Sequence, residues 1–309
     1  RYESVIIKQW SCNNKKKKKK QRINMEDFEI SQDRYNEALS KYNLSIDEKA
    51  VENAVEMAKN NAEKLANRSV IAEIISLIDL TTLKPTDNEE SVLQMVEKIN
   101  HLDDEHPDIP SVASICVYPN FASVVSESLE ADKVKTCCVA GGFPSSQTFT
   151  EVKIAEASLA LLDGAEEIDI VQNVGKFLNG DYEYICNETE ELKEICKEKT
   201  LKVIIECGAL QNLENVKKAS ILAMYSGADF IKTSTGKEVT GADPKSFFVM
   251  CKAIKEYYDE TGKKIGIKAA GGISTTQDAL LYYSIVNNVL GKEWLNSNLF
   301  RIGASRLFD

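Results

Sequence analysis

Two lysines stand at the ends of apolar, strand-like runs, and each is followed by a turn that contains glycine. Lys232 lies in Asp229-Phe230-Ile231-Lys232-Thr233-Ser234-Thr235-Gly236-Lys237. Lys268 lies in Lys264-Ile265-Gly266-Ile267-Lys268-Ala269-Ala270-Gly271-Gly272-Ile273. An amine stripped of water favours its neutral form, and a neutral amine attacks carbonyl carbon. A second cation nearby pushes in the same direction, and bringing a lysine from about 10.4 to about 7 corresponds to roughly 4–5 kcal/mol against the charged form. The pair therefore predicts one pocket with one amine as nucleophile and the other as its charged neighbour. The Thr-Ser-Thr-Gly-Lys turn offers backbone N–H groups, hydroxyls and a point charge, which together suit an anion. Taken alone, each lysine also fits a surface position at a strand end. Histidine chemistry is poorly supported, because only His101 and His106 occur, in a polar stretch before Pro107. That disfavours Ser-His-Asp, Cys-His and His-metal sites. The eight cysteines are scattered through apolar runs, and Cys137-Cys138 are adjacent, so no CxxC metal pair exists. They read as reduced thiols used as small hydrophobes. Chemistry is left to lysine and carboxylate, with no metal and no organic cofactor expected.

These side chains must be positioned by the elements around them. Strand-like runs cover Ile74–Leu80, Val112–Val117, Val134–Ala140, Glu167–Val171, Leu201–Glu206, Phe230–Thr233, Ile265–Lys268 and Phe300–Gly303. Amphipathic segments at Glu89–Asn100, Phe121–Glu130, Thr150–Leu162, Tyr182–Cys196, Leu213–Ser226, Pro244–Tyr258 and Thr276–Leu290 lie between them. Asp243-Pro244 reads as an N-cap followed by proline at the first helical position. Strict alternation of eight strands with seven helices predicts an α/β chain folded as a parallel (β/α)8 (TIM) barrel. An open doubly wound sheet is the alternative, but no GxGxxG follows the first strand. In a parallel barrel the chemistry sits where strands end. That rule selects Asp79 at the end of strand one, Cys116 at the end of strand two, Asp169 in strand four, Glu206 after strand five, Lys232 and Lys268.

The two lysine stretches, with Ser76–Leu83, Glu167-Ile168-Asp169, Leu201–Glu206 and Arg301–Ser305, resemble deoxyribose-phosphate aldolase, a class I (Schiff-base) aldolase family, from about Ser76 to about Leu307. The resemblance implies reversible cleavage of 2-deoxy-D-ribose 5-phosphate to acetaldehyde and D-glyceraldehyde 3-phosphate, in deoxyribose phosphate catabolism. Lys232 matches the Schiff-base lysine, Lys268 the second active-site lysine, and Asp169 the proton-relay aspartate. Asp79, Thr81, Cys116 and Thr235 fall at substrate-binding positions. Gly236, Lys237, Gly271, Gly272, Gly303 and Ser305 fall where the substrate phosphate is expected, beyond the last three strands. Glu206 is expected to orient or pair with one of the two lysines. Two positions depart from the pattern: Ala269 replaces a common proline, and Arg306 stands where a small residue is common. A Schiff-base aldolase for another sugar phosphate and an inactive sugar-phosphate-binding barrel remain as alternatives. The second is supported by the sequence ending at Asp309, which leaves no room for the family's final helix and tail.

Composition sets the remaining limits. The chain has 309 residues and a net charge of −10, so it suits one large domain and is a poor general nucleic-acid binder. It has no apolar run long enough to span a membrane and no secretory h-region, which predicts a cytoplasmic protein without membrane partners. Its partners are expected to be a sugar phosphate and aldehydes, with homo-oligomer formation possible. Residues 1–24, with the run Lys15 to Lys20, read as a basic disordered tail. Residues 25–69 read as an N-terminal helical extension, with a capping box at Ser45–Glu48 and an apolar face of Val51, Val55, Ala58, Ala62 and Leu65. Residues 70–309 form the expected barrel.

Overall fold

The structure is a computed structural model, and it describes residues 34–306 apart from 106, 107 and 239. The expected basic tail, and the extension as far as residue 33, lie outside the described residues. A helical segment at 34–40 comes first. It is followed by α1 (Glu48–Leu65), α2 (Arg68–Ile75), β1 (Ile78–Thr81), α3 (Glu89–Glu105), β2 (Ser114–Val117), α4 (Ala122–Ser128), β3 (Lys135–Ala140) and α5 (Thr150–Leu162). Then come β4 (Glu167–Val171), α6 (Val174–Leu178), α7 (Tyr182–Cys196), β5 (Thr200–Ile204), α8 (Leu213–Tyr225) and β6 (Phe230–Lys232). The described elements end with α9 (Pro244–Thr261), β7 (Gly266–Ala270), α10 (Thr276–Val289) and β8 (Phe300–Ala304). Each strand pairs in parallel with the next, and β8 pairs with β1, so the sheet is a closed barrel. This is the (β/α)8 barrel that the alternating pattern predicts.

The reason lies in the strands. They are buried on both faces, so they read as short apolar runs rather than as half-polar alternation. Ile115, Ile168, Val203, Ile231 and Ile267 are fully buried in the apolar core that includes α8, α9 and α10 side chains. The intervening positions carry the charged groups described below. Helix starts follow capping chemistry. The Asp243 carboxylate accepts from Ser246 N at 2.8 Å and Pro244 opens α9, as expected. Thr275 and Asp278 form a reciprocal capping box at the start of α10.

The N-terminal part differs from expectation in three details. Asp47, not Ser45, caps α1, by accepting from Ala50 N at 3.0 Å. Val51, Ala58 and Ala62 are buried, and α1 packs against α10 and α9 on the outside of the barrel. A separate helix, α2, is capped by Asn67, so Ile74 and Ile75 belong to it and the first strand starts only at Ile78. Helix α3 runs on to Glu105, which makes His101 an exposed helical residue. Among the described residues no helix is long and apolar enough to cross a membrane.

Candidate active site

The register of the barrel assembles the site. Lys232 pairs with Lys268 across β6 and β7, Lys268 pairs with Arg301 across β7 and β8, and Asp169 pairs with Lys202 across β4 and β5. Side chains at these positions converge on the barrel axis. Lys232 Nζ and Lys268 Nζ both lie 2.8 Å from the same oxygen, Oδ2 of Asp169. The other Asp169 oxygen, Oδ1, accepts from Lys202 Nζ at 2.9 Å and lies 3.3 Å from Cys137 Sγ. One carboxylate thus holds three amines.

A second layer lies beneath. Asp79 Oδ2 is 2.5 Å from Lys268 Nζ, and Asp79 Oδ1 accepts from Arg301 Nη1 at 2.5 Å. Glu167 accepts from Arg301 Nη2 at 2.8 Å and from Lys202 Nζ at 2.5 Å. Arg301 Nε also donates to the Ser297 carbonyl. The members of this lattice are almost completely buried. Burial alone would push the Asp169 carboxyl up, but Lys202, Lys232 and Lys268 outweigh it and hold it well below the usual carboxylate range. Burial would likewise drive Lys268 and Lys202 toward the neutral form, and Asp169 with the carboxylates around it holds both above their ordinary value. Arg301 is held charged against burial by Asp79 and Glu167. Three carboxylates therefore face Lys202, Lys268 and Arg301, with Lys232 on Asp169 and Lys135 Nζ 3.4 Å from Glu167 Oε1.

Above this floor opens a cavity of about 290 Å³. Thr81, Lys232, Thr235, Gly236, Lys237, Lys268, Gly271, Gly272, Gly303 and Ser305 line it. Of the residues selected from the sequence, Asp79, Cys116, Asp169 and Glu206 do not. Asp169 is the floor beneath the two lysines. Asp79 lies within β1 rather than at its end, and both its oxygens are engaged by cations below the wall. Cys116 is fully buried and packs with Leu83, Cys137 and Val139. Glu206 makes no pair with either lysine. Its carboxylate instead accepts from Thr235 N. Arg306 is exposed and its guanidinium reaches the Ser274 carbonyl at 3.4 Å.

The glycines of the rim are set by close approach. Gly271 has φ +95°, and a Cβ there would stand 2.9 Å from the Cα of Gly241. Gly303 has another reason: a Cβ would meet Ala270 Cβ at 3.0 Å and Lys268 Cε at 3.4 Å, so its absence makes room for the lysine. Lys237 Nζ donates to the Leu83 carbonyl, and Tyr118 Oη donates to the same oxygen at 3.2 Å. The turns after β1 and β6 are thereby joined over one side of the cavity.

Sequence reasoning assigned no role to Lys202, Glu167, Arg301 or Gly241. The signal was present for the first three, as charged residues inside runs of buried apolar ones. The interior of the barrel thus carries paired amines and a shared carboxylate beneath a glycine-rich rim, an arrangement that suits carbonyl chemistry. The chain belongs to the DeoC/LacD family aldolases, whose family model matches residues 73–286. A human deoxyribose-phosphate aldolase is 38% identical over 262 residues, covering 82% of this chain and 82% of its own. An Agrobacterium fabrum deoxyribose-phosphate aldolase is 32% identical over 243 residues, covering 78% of this chain and 90% of its own. A solved structure described as a tetrameric deoxyribose phosphate aldolase from Aeropyrum pernix aligns with a TM-score of 0.63 at 26% identity, covering 80% of this chain and 92% of its own.

Proposed function

We propose that this chain cleaves 2-deoxy-D-ribose 5-phosphate reversibly to acetaldehyde and D-glyceraldehyde 3-phosphate through a Schiff base on Lys232, a reaction of deoxyribose phosphate catabolism. The observation that carries the reading is the shared Asp169 oxygen, 2.8 Å from both amines at the floor of a cavity rimmed by Gly236, Lys237, Gly271, Gly272 and Ser305. The names of the relatives in the family supply the substrate.

Lys232 Nζ adds to the aldehyde carbon C1 of the open-chain sugar, and the carbinolamine loses water to give the iminium. Removal of the C3 hydroxyl proton then breaks the C2–C3 bond. The bonding pair passes into the iminium to form the enamine, and glyceraldehyde 3-phosphate leaves. Protonation of the enamine at C2, followed by addition of water, releases acetaldehyde and restores the amine. Asp169 and Lys268 carry the protons, as an acid–base pair whose shared oxygen, Asp169 Oδ2, lies 2.8 Å from the reacting nitrogen. The phosphate is bound at the rim by Lys237, Ser305 and the glycine turns, with Thr81 and Thr235 at the wall.

An assay of acetaldehyde release from 2-deoxyribose 5-phosphate tests the proposal. Wild-type protein should turn over and Lys232→Ala should not, and normal turnover by that variant would end the mechanism. The reading extends to self-association of this chain, as in the tetrameric relative. A monomeric mass from light scattering would refute that part.

A further inference from the structure

Glu206 is a buried carboxylate with no described use in the reaction. It is 4% exposed and follows β5 with φ 53° and ψ 62°, a left-handed conformation unusual for a residue with a side chain. Such backbone persists only where the surroundings enforce it, and it clusters at ligand sites. Among the described residues no lysine or arginine forms an ion pair with it. Both of its oxygens instead lie 3.2 Å from one donor, the backbone N–H of Thr235. Burial pushes the carboxyl up, and the Thr235 contact draws it back.

This bond fixes the anion turn. Thr235 lines the cavity and Glu206 does not, so the glutamate acts from behind the wall. Thr235 is held at Glu206 through its N–H and its hydroxyl, and Oγ1 also accepts from Lys237 N at 3.1 Å. Gly236 between them takes φ +73°. Two of the three N–H groups of the turn are thus spent on shaping it, which leaves the Gly236 N–H for a ligand beside the Lys237 ammonium, which also holds the Leu83 carbonyl.

We propose that Glu206 is a positioning residue that sets the Thr235–Lys237 turn and so determines the preference of the site for a phosphorylated over an unphosphorylated sugar. The proposal rests on the aldolase reading above. Its test is kcat/KM for 2-deoxyribose 5-phosphate and for 2-deoxyribose, measured on wild type, Glu206→Ala, Glu206→Asp and Glu206→Gln. Loss of the buried bond in the Ala and Asp variants should lower kcat/KM for the phosphorylated sugar roughly tenfold, chiefly through KM. The unphosphorylated sugar should change by less than about twofold, since it makes no use of the turn. Glu206→Gln keeps an oxygen that accepts from Thr235 N and should retain the wild-type preference. Equal losses on both sugars, or loss of preference in the Gln variant, would overturn the proposal. If Glu206→Ala does not fold, the Asp and Gln variants decide it. If wild type cleaves neither sugar, the aldolase reading fails. Inorganic phosphate affinity, expected to be weaker in Glu206→Asp than in wild type, then tests the turn alone, and equal affinities would refute it.

Discussion

Arg301 is the residue whose removal should reveal most about the charged interior. It is 1% exposed and donates to Asp79 Oδ1 at 2.5 Å and to Glu167 at 2.8 and 3.1 Å. Arg301→Met keeps similar bulk and deletes the charge. Breaking a buried ion pair by removing one partner is destabilising by about 3–5 kcal/mol. Asp79 retains Lys268 at 2.5 Å and Glu167 retains Lys202 at 2.5 Å, so the lower end, about 3 kcal/mol, applies here. At about 2 °C per kcal/mol for a chain of this size, Tm should fall by roughly 6 °C. The double variant Arg301→Met with Glu167→Gln removes both sides of the pair and should regain a good part of that loss. Activity should respond as well. Without the guanidinium, Asp79 pulls harder on Lys268, the lysine that shares the Asp169 oxygen with Lys232. Turnover should therefore drop. Thermal unfolding of the four proteins of the cycle, with acetaldehyde release by each, measures both. A Tm change under about 2 °C, or no recovery in the double variant, would refute the buried-ion-pair reasoning.

Three further outcomes follow from the same geometry. Asp169→Asn keeps the shape of the floor but removes the proton acceptor, and should lower turnover by about 10²–10⁴ while leaving inorganic phosphate binding intact. Gly271→Ala places a Cβ 2.9 Å from Gly241 Cα on backbone at φ +95°, which should destabilise the fold by about 1–3 kcal/mol and raise KM for the phosphorylated sugar. Stability should also depend on pH at both extremes. Asp79, Glu167 and Asp169 are held below the ordinary carboxylate range, so their contribution is present above about pH 5 and lost as pH falls through about 4 and below. Lys202 and Lys268 are held above the ordinary lysine value, so theirs is present below about pH 10 and lost as pH rises further. Thermal unfolding between those limits should give a plateau, and a Tm that rises on acidification would contradict the sign.

Much of this was legible in the residues. β4, α5 and α7 fall where the apolar pattern places them, because a doubly buried strand and an amphipathic helix leave different periods in the sequence. The segment before β1 misled, since Ile74 and Ile75 continue the apolar run of the strand yet belong to a helix capped by Asn67. At the site, Lys232 and Lys268 were visible because each is followed by a glycine turn. Lys202, Glu167 and Arg301 lie deeper in their strands, and their partners come from strands distant in sequence. Only closure of the barrel brings Arg301 of β8 against Asp79 of β1 and Glu167 of β4. Glu206 was expected to face an amine. A left-handed backbone turn sends it to Thr235 instead, and nothing in the local sequence announces that turn.

The central claim is the covalent bond to Lys232. Incubation with 2-deoxyribose 5-phosphate, reduction with borohydride and peptide mapping by mass spectrometry test it directly. The account predicts a stable reduced adduct on the peptide carrying Lys232, absent from Lys232→Ala. An adduct confined to Lys268 or Lys202, or none while the substrate is turned over, would contradict it.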